Sequence, residues 1–117
     1  MLFRSVSSNT ALKVLRCGNN QLITLDVSNN TELTRLGCDD NRLTDLDMSR
    51  NTELLSLGCS RNQLTSSALN GLFRSLRSDY SYTKNNSYLF YLWIYFNPGT
   101  NDCEVNIAEE KGWIVRR

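Results

Sequence analysis

The chain has 117 residues, 13 basic and 12 acidic side chains, and no histidine. That length suits one domain, the nearly balanced charge argues against nucleic acid as a partner, and the missing histidine removes the usual general base and the commonest metal ligand. The longest apolar run, residues 88–96, has nine residues, about half of what a spanning helix needs, so no membrane insertion is expected.

Residues 1–8 show no apolar stretch preceded by basic residues, so no signal peptide is read there. Ser5-Val-Ser-Ser-Asn-Thr10 instead matches Asp26-Val-Ser-Asn-Asn-Thr31 and Asp47-Met-Ser-Arg-Asn-Thr52 at a spacing of 21 residues. These segments are rich in turn formers whose side chains bond their own backbone. The first repeat therefore begins partway through. The chain is expected to be the carboxy-terminal piece of a longer protein, with self-association through an uncapped first turn as the alternative.

Three segments then share one pattern at that spacing. They are Leu12-Lys-Val-Leu15-Arg-Cys17-Gly-Asn-Asn20-Gln-Leu22, Leu33-Thr-Arg-Leu36-Gly-Cys38-Asp-Asp-Asn41-Arg-Leu43 and Leu54-Leu-Ser-Leu57-Gly-Cys59-Ser-Arg-Asn62-Gln-Leu64. Leu15 and Cys17 alternate with Val14, Arg16 and Gly18, the period-2 signature of a strand with one buried face. Leu22, Leu25 and Val27, and their counterparts Leu43, Leu46 and Met48, fill the inside of the return path. Cys17, Cys38 and Cys59 share one inward slot, where a thiol serves as a small hydrophobe. Distance alone does not forbid a disulfide between adjacent strands, but three equivalent residues cannot pair evenly. The spacing lacks the clustered pairs of a zinc site. Asn20, Asn41 and Asn62 form a second ladder at the bend, where a buried amide satisfies backbone groups that the turn leaves unpaired.

After Leu64 the pattern changes. Leu69, Leu72, Phe73 and Leu76 fall at helical spacing behind Ser66 and Ser67, which predicts a helix over 67–77 with a serine cap. Residues 77–87 read as a polar loop, followed by the β-prone run 88–96. Leu92-Trp-Ile94-Tyr-Phe-Asn97 repeats the pattern Leu15 to Asn20, with Ile94 in the cysteine slot and Asn97 in the asparagine slot. A fourth strand is expected there, then a turn at Pro98-Gly99, a short helix over 103–111 capped by Gly112, and a closing strand at Trp113-Ile-Val115. Residues 1–65 form the repeats, and 66–117 a final repeat with helical insertion and cap in the same solenoid.

The pattern L-x-x-L-x-C-x-x-N-x-L at this period is that of a leucine-rich repeat. With Asn97-Pro-Gly-Thr100, Cys103 and Lys111-Gly-Trp-Ile-Val115, the chain resembles bacterial leucine-rich repeat proteins common in Bacteroidetes. The resemblance implies an α/β solenoid: a short parallel sheet on the concave face, a thin irregular convex side, and helices near the carboxy-terminal cap. It also implies a partner-binding role on exported or surface-attached proteins.

In such a solenoid the residues between the buried ones project from the concave face. The candidate binding residues are Arg16, Arg35, Asp39, Tyr91, Trp93 and Tyr95. Gly37 and Gly58 leave a bare strip beside three aromatic rings, each with a polar tip, and the arginines suit carboxylate or phosphate. Two readings of the aromatics stand: a shelf for a protein partner or a glycan, or a cover for the terminal cap packed against Trp113. Catalysis is not expected. No Ser/His or Cys/His pair exists, no phosphate-binding glycine loop is present, and the acids at Asp26, Asp39, Asp40, Asp45, Asp47 and Glu53 sit mostly on turns. Asp39-Asp40 is a poor cage for calcium, and no cofactor is expected.

Overall fold

A computed structural model describes residues 6–78 and 89–117. One parallel sheet carries five strands in chain order: β1 (Val14–Arg16), β2 (Arg35–Gly37), β3 (Ser56–Gly58), β4 (Phe90–Trp93) and β5 (Trp113–Arg116). Helix α1 (Ser66–Ser75) lies between β3 and β4, and α2 (Asn106–Glu109) between β4 and β5. Parallel neighbours require the chain to travel back after every strand. Before β2 and β3 it does so through turns, without a helix.

The register joins equivalent positions of successive repeats. Leu15, Leu36, Leu57, Leu92 and Val115 stand in one row across the sheet. The first four of these are buried, each leucine side chain stabilising the fold by about 1.5–3 kcal/mol. Past the strand ends, Cys17 N donates to Gly37 O and Cys38 N to Gly58 O, both at 2.8 Å. Cys59 N donates to Trp93 O and Ile94 N to Arg116 O, both at 2.9 Å. These bonds align the three thiols and Ile94 in a buried row of free cysteines capped by an isoleucine.

The asparagine row ties turn to turn. Asn41 Nδ2 donates to Cys17 O of the preceding turn and to its own Cys38 O, each at 3.0 Å, while its Oδ1 accepts from Leu22 N at 3.1 Å. Asn62 repeats this with Cys38 O, Cys59 O and Leu43 N. Asn97 carries it across the helical insertion, donating to Cys59 O and accepting from Asn62 N.

A further ladder runs through the turn segments, where the pattern predicts only side chains bonding their own backbone. Asp26 and Asp47 do bond their own turns, accepting from Ser28 N and Ser49 N at 2.9 Å. Asn30 and Asn51 do not. They are fully buried and reach back one turn, Asn30 to the carbonyls of Val6 and Asn9 and Asn51 to those of Val27 and Asn30.

Both helices differ at their ends from what the sequence predicts. Helix α1 starts one residue earlier than expected and is capped by Thr65, whose side chain accepts from Ala68 N, not by a serine. It ends at Ser75 because Leu76 is already extended at ψ 148°. Lys111 Nζ then donates to the carbonyls of Arg74 and Leu76, satisfying groups that a helix end leaves open. The expected helix over 103–111 is only the four residues of α2. Residues ahead of it are held in turns by Gly99 O, which accepts from Asp102 N and Cys103 N. Gly112, at φ 98°, takes the left-handed position expected of it. Among the described residues of the β-prone run, Phe90–Trp93 is strand, and Tyr95 and Phe96 belong to the bend. Most of the polar loop expected over 77–87 lies outside the described residues.

Candidate functional site

Alternation along each strand fixes which side chains leave the core. Val14, Arg35, Ser56, Tyr91 and Ile114 form one outward row, and Arg16, Gly37, Gly58, Trp93 and Arg116 the next. A depression of about 730 Å³ lies over this face, lined by Val14, Arg16, Arg35, Gly37, Asp39, Tyr91 and Trp93 among others. Five of the six candidates, Arg16, Arg35, Asp39, Tyr91 and Trp93, thus share one concavity. Tyr95 does not line it, because β4 ends at Trp93 and the bend carries Tyr95 away.

The aromatics are arranged as a platform. The Tyr91 and Trp93 rings stack at 5.7 Å between centroids and 20° between planes. Arg116 sets its guanidinium 6.0 Å from the Tyr91 ring centre, within cation–π range. The suggested packing on Trp113 falls instead to Phe90, on the opposite face of β4, at 5.2 Å. Trp113 further donates its indole N–H to Arg77 O at 3.0 Å. Leu89 and Val14, each 42% exposed, add apolar surface at the two ends of the depression.

The floor is less bare than the glycines suggest. Nothing lies within 4 Å of the Cβ position at Gly37, which is open. Gly58 is buried, because the Asp39 carboxylate lies over it. Asp39 Oδ1 accepts from Ser60 N at 2.7 Å, and Ser60 Oγ accepts from Tyr95 N at 2.9 Å. Asp39 is therefore both lining and brace, linking the carboxyl ends of β2, β3 and β4. Cations stand on the strands and acids past their ends, so the face is bipolar along the strand direction.

The thiols beneath the sheet are chemically quiet. Burial, with a smaller push from the Asp39 charge, raises Cys17 to about 11. Burial raises Cys38 and Cys59 as well. Thiolate, the nucleophilic form, is scarce at neutral pH under those conditions.

A second depression of about 490 Å³ adjoins the first, lined by Asp39, Asp40, Ser60, Arg61, Trp93, Tyr95 and Phe96. Asp40, Arg61 and Phe96 were not among the sequence candidates. They occupy the position just before the ladder asparagine, which is left-handed in every turn: Asn19 at φ 57°, Asp40 at 58°, Arg61 at 54° and Phe96 at 56°. Asparagine and aspartate at that position carry a readable signal, because they tolerate this backbone. Phenylalanine carries none, and Phe96 is 71% exposed at this bend.

No family model matches the chain. No curated protein matches it either. Among solved structures, the functional domain of InlJ from Listeria monocytogenes, which includes a cysteine ladder, matches with a TM-score of 0.66 and 32% identity. The fold is leucine-rich-repeat-like. The match covers 92% of this chain but 21% of that one, so the chain spans about a fifth of its neighbour's length.

Proposed function

We propose that the chain is a non-catalytic leucine-rich repeat module for protein–protein interaction, carried by a surface-exposed or secreted bacterial protein. The observation that carries this reading is the stacked Tyr91–Trp93 pair beside the open backbone at Gly37, with Arg16 and Arg35 on the same face. Trp, Tyr and Arg are the side chains that dominate interface energetics when a partner desolvates them. The missing histidine and the protonated, buried thiols favour binding over chemistry. The bacterial setting draws support from the Listeria neighbour, and the exported location from the family resemblance alone.

A second reading, a glycan-binding module, rests on the 20° angle between the Tyr91 and Trp93 planes. Rings stacked in this way each keep one outer face, and an aromatic face of that kind can take the apolar face of a sugar ring. A random-peptide display selection and a glycan array, each run with wild type and Trp93→Ala, separate the two. Peptide binding lost in the variant supports the first reading, and specific sugar binding lost in the variant supports the second. A surface that retains neither ligand marks the face as structural.

A further inference from the structure

The second depression has its own chemistry. Asp39 and Asp40 line it with no ion-pair partner among the described residues, although Arg61 lines it too. Arg61 turns instead onto Phe96, its guanidinium carbon 5.1 Å from the ring centre. Trp93, Tyr95 and Phe96 supply the aromatic walls, with Tyr95 and Phe96 centroids 6.3 Å apart. Asp39 is fixed through Ser60 N, and Tyr95 through Ser60 Oγ. One carboxylate is thus held, and that of Asp40 lines the same depression, beside aromatic faces of which one already carries a guanidinium.

We propose that this depression receives a cationic side chain, arginine or lysine, from the protein partner. The carboxylates supply the opposite charge, and the aromatic faces supply the quadrupole that attracts a cation. Charge complementarity selects this occupant: the two acids outnumber the single Arg61 on the lining. Arg61 is a resident competitor, since its charge repels the incoming cation. The proposal rests on reading the concave face as a protein-binding surface, and its test separates the two.

Titration of the ¹⁵N-labelled chain with hexa-arginine amide, and separately with hexaglutamate, reads the site directly. Hexa-arginine is expected to shift the Ser60 and Tyr95 amides and the Trp93 indole N–H, and hexaglutamate is not. Asp40→Asn keeps a residue that tolerates the left-handed backbone and is expected to weaken hexa-arginine about two- to fivefold, the range of an exposed ion pair. Arg61→Ala is expected to strengthen it. Equal response to both peptides, shifts confined to the Arg16 and Arg35 end, or unchanged affinity in both variants overturns the proposal. If hexa-arginine fails while Trp93→Ala still abolishes binding of a selected peptide, the concave face stands and the cation pocket alone falls.

Discussion

The carboxylate of Asp39 occupies the space above Gly58: a Cβ built on that glycine lies 2.9 Å from Asp39 Oδ2 and 3.2 Å from Oδ1. The same carboxylate holds Ser60 N, so any side chain at position 58 loosens a brace between two turns.

Three glycine-to-alanine variants should therefore rank by what the new methyl meets. Gly37→Ala meets nothing within 4 Å and should leave stability unchanged or raise it by about 0.4–1 kcal/mol, through the unfolded chain. Gly58→Ala displaces a side chain and should cost about 1–2 kcal/mol. Gly99→Ala drives its Cβ into Ser66 N, a backbone atom at the start of α1, and should cost about 3 kcal/mol or more. Urea unfolding of the three variants checks the order, and an equal loss at Gly37 and Gly58 would refute the role given to Asp39.

Within the asparagine row, Asn62→Ala and Asn41→Ala should each cost about 1–3 kcal/mol, because each leaves buried backbone groups without partners. Asn20 is half-buried, and its amide donates to Cys17 O and Gly18 O within its own bend. Asn20→Ala should cost less than either. Denaturation midpoints measured side by side decide this.

The repeat was legible because its signals are periodic and redundant. Leucine, cysteine and asparagine recur at one offset, and the placement of Leu92 and Ile94 across the helical insertion is matched by the pairing of β3 with β4. The concave candidates were legible for the same reason, since strand alternation is fixed once the buried row is known. Features set by a single contact were not. The cap at Thr65 depends on where one helix turn starts. The short α2 follows from Gly99 O holding the residues ahead of it. The covering of Gly58 depends on the direction of the Asp39 side chain, which glycine in the next repeat does not announce. Phe96 stands at a left-handed position in the bend, and its residue type conceals that.

Alkaline pH should weaken the fold through the thiol row. Cys17 rises from an ordinary value of 9.0 to about 11 on burial, and Cys59 rises too. Above pH 9 the unfolded chain releases thiol protons that the folded chain retains, so the unfolded state binds fewer protons and stability falls as pH rises. Each such thiol steepens the fall by about 1.4 kcal/mol per pH unit, in the window from its unfolded value to its folded one. Urea midpoints should be flat from pH 7 to about 8 and drop through pH 9 to 10, with a shallower drop in Cys59→Val. Native protein at pH 8 should also resist iodoacetamide at these three positions until it unfolds.

The most direct measurement is the dissociation constant of one display-selected peptide for wild type and for Trp93→Ala, taken with the urea midpoint of each. Loss of about thirtyfold or more in affinity, the effect of a 2 kcal/mol hot spot, is expected while the midpoint stays close to wild type. A variant that unfolds readily but binds with undiminished affinity when folded would contradict the claim that the Tyr91–Trp93 platform is the binding surface.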